Sequence, residues 1–289
     1  MIEFWSNVRY NLTPRSDLLV LCSPRLKYDS LQSLTATYYN QNYYDLTSPL
    51  YLSSDLDIEQ YIVRNCSFTN CSNYQTQGGA ISSSVTNGGV IISISNTSFV
   101  SCFCGNDGGA IWISVGSGSK VTIEDCRMTN CHSAKNGGGI CIVQHSTDIQ
   151  GIELKDIQMF NCTCQTSGGG IFVETHDNST LSLIGDFLFD NCSSINSDGG
   201  GIYVQQKQPM HSIQMQGNFT FRNCTSRSYG GGMYMQGLNQ TPVAINCTLL
   251  FWNCTSGYGG GLRLIYQGTG QATHFAGNFT FERCSANKG

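Results

Sequence analysis

An all-β fold, a right-handed parallel β-helix (β-solenoid) of about 30 residues and three strands per coil, is predicted by three observations on this chain. A tetrapeptide recurs at a near-constant period, a glycine motif follows each of its first seven copies, and the stretches between alternate apolar and polar residues. The tetrapeptide is an aromatic residue or Met, any residue, Asn, then Cys. It occurs as Phe68-Thr-Asn-Cys71, Met128-Thr-Asn-Cys131, Met159-Phe-Asn-Cys162, Phe189-Asp-Asn-Cys192, Phe221-Arg-Asn-Cys224 and Phe251-Trp-Asn-Cys254, with variants ending at Cys102 and Cys284. Successive cysteines are 31, 29, 31, 30, 32, 30 and 30 residues apart. Small insertions between fixed motifs are what a solenoid shows when its loops vary and its rungs do not.

The glycine motif, GGAI, GGGI, GGGM or GGGL, ends at Ile81, Ile111, Ile140, Ile171, Ile202, Met233 and Leu262, and these seven copies hold 19 of the chain's 33 glycines. Corners stacked about 4.8 Å apart need positive φ and close backbone approach, which glycine permits. Within the coil that follows Gly199, three stretches alternate: Ile202-Tyr-Val204, Ile213-Gln-Met215 and Phe219-Thr-Phe221. Such strands can pair only with their equivalents in the next coil, in parallel and in register, and the crossover preference makes the helix right-handed. Six residues before each signature cysteine stands a further column, Asn65, Asn96, Asp125, Asp156, Asp186, Asn218, Thr248 and Asn278, rich in residues that bond their own backbone in tight turns.

Residues 1–60 lack both motifs and are read as an irregular cap or degenerate first coil, with irregular strands at Leu18-Leu-Val-Leu21 and Leu50-Tyr-Leu52. Residues 61–289 form about eight repeats, and the last is cut in mid-repeat at Gly289, as a fragment of a longer protein would be.

The aromatic-led, Asn-containing motif paired with a following GGA[ILV] resembles the repeats of the chlamydial polymorphic outer-membrane proteins, whose related sequences also occur in surface-protein families of parasitic protists. That family usually has Phe-x-x-Asn where this chain has Cys in fourth place and Asn before it. The resemblance covers about residues 66 to 289. It implies a β-helix used as an extracellular adhesin and transfers no catalytic residue, because the family's motifs are structural.

Composition restricts function further. Net charge is -4, with 15 Lys+Arg against 19 Asp+Glu, so no basic excess exists to neutralise phosphates and no nucleic-acid partner is expected. No window of 18 apolar residues occurs, and the start carries charges and a proline where an export signal needs an apolar stretch; membrane anchoring would have to come from segments absent from this chain.

Several residue sets invite chemistry. The ladder Cys71, Cys102, Cys131, Cys162, Cys192, Cys224, Cys254 and Cys284 is read as a structural stack of reduced thiols, because in-register neighbours point their Cβ vectors the same way and zinc-ligand spacing is missing. The preceding asparagines are expected to bond amide to amide along the axis. Neither a cofactor nor a metal is expected, though Asp125, Asp156 and Asp186 on consecutive coils make a weak candidate calcium site. His145 and His176 share an offset and are placed to stack, while Arg25-Leu-Lys27 matches a substrate-binding pair of pectin-cleaving enzymes as a tripeptide only.

Of the 13 N-x-[ST] sequons, five are signature asparagines expected to be stacked and blocked, leaving Asn178 and Asn239 in variable loops as glycosylation candidates. The residue between the inward positions of the first strand, Ser82, Trp112, Cys141, Phe172, Tyr203, Tyr234 or Arg263, should point outward. Trp112, Phe172, Tyr203 and Tyr234 are therefore expected to form an exposed ligand-binding stripe. The sequence reading is a non-catalytic adhesin, secreted or at the cell surface, binding a host or cell-surface protein or glycan. The alternatives are a carbohydrate-active β-helix enzyme of pectate lyase or glycoside hydrolase type, which would need clustered acids, and a structural spacer.

Overall fold

Alternation sends every second side chain to one side of a strand, so identical strands stacked in register build continuous internal columns. The computed structural model describes residues 25–29, 33–53, 58–85, 89–145, 151–176, 179–207, 212–237, 242–266 and 274–287. It is an all-β solenoid of about seven turns, with three parallel sheets stacked along one axis.

The first sheet has eight strands, Leu50–Ser53 and seven that open at the last residue of a glycine motif, such as Ile202–Gln206 and Leu262–Tyr266. The long sheet has fourteen strands and takes in both the second and the third alternating stretches, which in the later coils fuse into single strands such as Ser212–Arg222. The remaining sheet consists of eight two-residue strands immediately after the signature cysteines, for example Thr225–Ser226. The count of three strands per coil is as expected, but their division differs. Two residues carry no periodicity to read, so this short sheet is invisible to pattern analysis.

Its inner side chains anchor the loop ahead of the glycines: the hydroxyls of Ser133, Ser226 and Ser256 donate to the carbonyls of Asn136, Tyr229 and Tyr258 at 2.7–2.9 Å. The glycine triplet then closes the coil. Gly199 holds φ +64°, a Cβ on Gly200 would lie 2.1 Å from the Gly231 carbonyl oxygen, and one on Gly201 would lie 2.7 Å from Phe221 Cδ1.

Phe189, Phe221, Phe251 and Phe281 stack with ring centroids 4.8–5.0 Å apart, and Phe187 stacks on Phe219 at 4.6 Å. All of these rings except the half-exposed Phe281 are removed from water, worth roughly 1.5–3 kcal/mol each, and stacking adds about 0.5–1.5 kcal/mol per pair.

The segment before the first signature is more regular than its letters indicate. Asn42–Tyr44 pairs with Ser67–Thr69, Asp45 takes positive φ (51°) where later coils have the signature Asn, and Leu46 packs against the core where they have Cys. Leu50–Ser53 is a regular parallel strand on Ile81–Val85, correcting the irregular strand expected there. Arg25–Asp29 pairs antiparallel with Ser33–Tyr39 at this end, while Leu18-Leu-Val-Leu21 and the side chains of Arg25 and Lys27 lie outside the described residues.

Candidate functional site

The signature motif is a helical ladder of corners rather than a reactive centre. Its asparagine occupies the left-handed region in coil after coil, with φ of 51–56° at Asn70, Asn130, Asn161, Asn191, Asn223 and Asn253. Asn tolerates this conformation best among non-glycine residues. Nδ2 of Asn161 donates to Asn130 Oδ1 at 3.0 Å, Asn191 to Asn161 at 2.8 Å, and Asn253 to Asn223 at 2.8 Å. The axial amide ladder is thus present. Stacking does not hide these side chains: Asn70, Asn161, Asn191 and Asn253 are exposed, which corrects the expectation that burial blocks them. Asn178 and Asn239 lie outside the described residues.

After each asparagine the chain turns inward, so Cys71, Cys102, Cys131, Cys162, Cys192, Cys224 and Cys254 are buried and Cys284 is partly so. All fourteen described cysteines are free. The thiol of Cys192 donates to the Met159 carbonyl in the preceding coil, that of Cys224 to Phe189 and that of Cys254 to Phe221, at 3.5–3.7 Å. Burial pushes the thiols of Cys131, Cys192 and Cys224 well above the ordinary range, so these three are protonated at neutral pH.

The aspartate column does not form the calcium site considered above. Between Lys155 and Gln158 the strand slips by one residue against Ile184 and Leu188, so Asp156 and Asp186 are not simple in-register partners. Asp156 Oδ1 accepts the backbone N–H of Asp186 at 2.7 Å, and Asp186 Oδ1 accepts Nδ2 of Asn218 at 2.9 Å. Bonds to the next coil, not to their own turn, engage the carboxylates of Asp156 and Asp186. Among the described residues no group of three or more His, Cys, Asp or Glu is arranged to hold a metal. His176 turns to Glu174 (3.7 Å), which also meets Lys207 Nζ at 3.4 Å, while His145 is exposed.

The aromatic stripe points outward, as alternation requires, but it is not open. Phe172, Tyr203 and Tyr234 are only 5–7% exposed. They stack face to face at 4.9–5.0 Å and form a second apolar cluster with Cys141, against which Trp112 is partly buried. The cause lies in the glycine corner. A Cβ on Gly108 would come within 2.9 Å of Trp112 Cβ, and one on Gly199 within 3.0 Å of Tyr203 Cβ, so the chain folds back over the residue that the strand turned outward. Tyr229 closes the far end, its ring 6.2 Å from Tyr234 and 4.2 Å beneath the Arg263 guanidinium. Burial pushes the phenols of Tyr203 and Tyr234 up. These rings are structural, and the expectation of an exposed stripe is corrected.

A different column takes the exposed position. Two residues before each signature cysteine, on the outer side of the long sheet, successive coils place Phe160, Asp190, Arg222, Trp252 and Glu282 in direct register. Phe160 and Trp252 are half-buried, and Arg222 and Glu282 are exposed. Arg127 lies over the Phe160 ring at 4.2 Å, Arg283 stands 6.0 Å from Trp252, and Arg222, Leu250, Trp252 and Glu282 line an open depression of about 330 Å3. The signal for this column was available as a fixed offset from the signature. It was missed because its residue types change from coil to coil.

Comparison with protein-family models, with curated proteins and with solved structures found no match to this chain.

Proposed function

We propose that this protein is a non-catalytic binding solenoid, secreted or at the cell surface, that engages host, matrix or cell-surface ligands through the outer face of its long sheet. The observation that carries this reading is the in-register column from Phe160 to Glu282. Partly exposed rings and opposite charges sit there on a face whose backbone is already paired along the axis. Rigid aromatic side chains supply contact area at low entropic cost, and flanking arginines add directional donors. A continuous sheet holds both in place before a ligand arrives, which lowers the ordering cost of binding.

Adhesion of cells to the immobilised chain tests it. Cells should adhere to the native chain and less to one carrying Phe160→Ser and Trp252→Ser, with circular dichroism unchanged; no adhesion above an inert protein coat overturns the reading. The spacer reading has its own support, because the most aromatic of the outward columns, with Phe172, Tyr203 and Tyr234, is occupied in stacking on itself. It predicts no adhesion by either chain.

A further inference from the structure

We infer that the outer column of the long sheet is an extended-glycan site, a row of subsites that takes one pyranose unit per coil. The inference rests on the binding-face reading above and names the ligand class for that face.

The first argument is pitch. Neighbouring coils stand about 4.8 Å apart, whereas an extended peptide repeats the side chains of one face every ~6.6 Å. A peptide laid along the axis falls out of step within two coils. It also finds no unpaired backbone here, since Ser212–Arg222 is bonded on both sides, to Thr180–Asp190 and to Val243–Trp252. Strand addition, the usual source of peptide affinity, is therefore closed on this face. A pyranose ring with its glycosidic oxygen is close to one coil in length, so an extended, equatorially linked glycan stays in step.

The second argument is the order of side chains. Phe160 and Trp252 are three coils apart in the register, about 14 Å. Both rings are half-buried and offer their remaining apolar surface to the C–H side of the first and fourth units, Phe160 on the side left free by the Arg127 guanidinium. Between them stand Asp190 and Arg222, one acceptor and one donor, and beyond Trp252 stands Glu282. Hydroxyl groups both donate and accept, so a carboxylate beside a guanidinium complements the two sides of a sugar, and charged partners make the stronger hydrogen bonds. The depression among Arg222, Leu250, Trp252 and Glu282 gives the unit over Trp252 a place to seat.

Calorimetric titration of the full chain with the β-1,4-linked hexaoses of glucose, N-acetylglucosamine and mannose, and with their disaccharides, tests the inference. At least one hexaose should bind at least tenfold more tightly than its disaccharide, because only a chain of four or more units reaches from Phe160 to Trp252. Trp252→Ala should weaken that hexaose tenfold or more, Trp252→Phe should retain most of the affinity, and Phe160→Ala should remove the advantage of length. Absence of saturable binding by all three hexaoses, a hexaose no tighter than its disaccharide, or affinity unchanged in both alanine variants overturns it. Adhesion that persists while no hexaose binds or competes overturns the glycan assignment and leaves the binding face standing with a protein ligand. Loss of adhesion by the native chain would remove the binding face itself.

Discussion

The coils before Lys155 and those after it turn the corner within the long sheet in two ways. In the earlier coils the step between the inward positions on either side is three residues, Ile94 to Thr97, Ile123 to Cys126 and Leu154 to Ile157. The turn is made by Asn65, Asn96, Asp125 or Asp156 at φ of 45–54°. In the later coils the step is four residues, Leu183 to Phe187, Met215 to Phe219 and Ile245 to Leu249. There the positive φ passes to Gly185 (92°) and Gly217 (108°). The column inside the corner changes with it, from Cys66, Thr97, Cys126 and Ile157 to Phe187, Phe219 and Leu249, all buried. One added residue makes room for a phenyl ring.

The slip is confined to the interval between Lys155 and Gln158, after which Thr180–Asp190 pairs with Ser212–Arg222 over eleven consecutive residues. A solenoid can therefore change its cross-section at one corner without disturbing its other columns, because each coil contacts only its neighbours.

The largest test of this contrast removes the filling. Phe219→Ala should cost about 3–5 kcal/mol, against about 1 kcal/mol for Cys126→Ala at the equivalent place in an earlier coil. Equal shifts in urea midpoint would mean that the wider corner is not held by its rings.

A second test acts on the backbone. A Cβ on Gly217 would lie 2.2 Å from the Gly185 carbonyl oxygen. Gly217→Ala should therefore cost about 2 kcal/mol or more, while Asp125→Gly should change stability by under about 1 kcal/mol, relief of left-handed strain offsetting lost chain stiffness. If the two substitutions proved alike in thermal melts, the two corners would be energetically one.

Alkaline titration separates the regions less sharply. Burial pushes the Cys126 thiol from 9.0 up to about 12, and that of Cys247, in a later coil, up to about 11. Both folded-state values are raised, so the thiols' contribution is complete below about pH 9 and falls as pH climbs, through about 12 for Cys126 and about 11 for Cys247. Each thiol that ionises only when unfolded steepens the fall by about 1.4 kcal/mol per pH unit. Cys126→Ala should flatten the stability profile over the whole window, and Cys247→Ala only over its lower part. Profiles parallel to wild type would show that neither thiol is held protonated by the fold.

The smallest difference is expected between amide ladders. Asn130→Gly and Asn253→Gly, one on each side of the divide, should each cost about 1 kcal/mol, since glycine keeps the positive φ and each loses one axial hydrogen bond. Unequal costs would mean that the corner is felt at the signature as well.

Much of this was legible before the coordinates. Cys192, Cys224 and Cys254 announce their ladder by spacing, and Phe189, Phe221 and Phe251 announce an internal stack by lying three residues ahead of them. Tyr43-Tyr44-Asp45-Leu46 was not recognised as a signature because both of its diagnostic letters, Asn and Cys, are replaced, although Asp tolerates the same φ as Asn and Leu fills the same inward place. The aspartate column misled for a related reason. Counting back from the cysteines aligns Asp156 with Asp186, but the later strand has one extra residue at this corner, and a Cβ on Gly185 would lie 2.1 Å from Asp156 Oδ1.

The sequence by itself determined the period, the parallel pairing of like strands and, away from the corner where the register slips, the side of the sheet on which each side chain lies, because stacking like on like leaves those quantities little freedom. It did not determine which outward positions meet solvent. Tyr203 and Trp252 both point away from the core, and alternation treats them alike. Tyr203 is 7% exposed because the glycine corner of its own coil folds back across it, whereas Trp252 stands half-buried beside an open depression. Strand periodicity is a local property of the backbone, while cover is supplied by chain that returns from elsewhere, and only the tertiary structure decided where it returns.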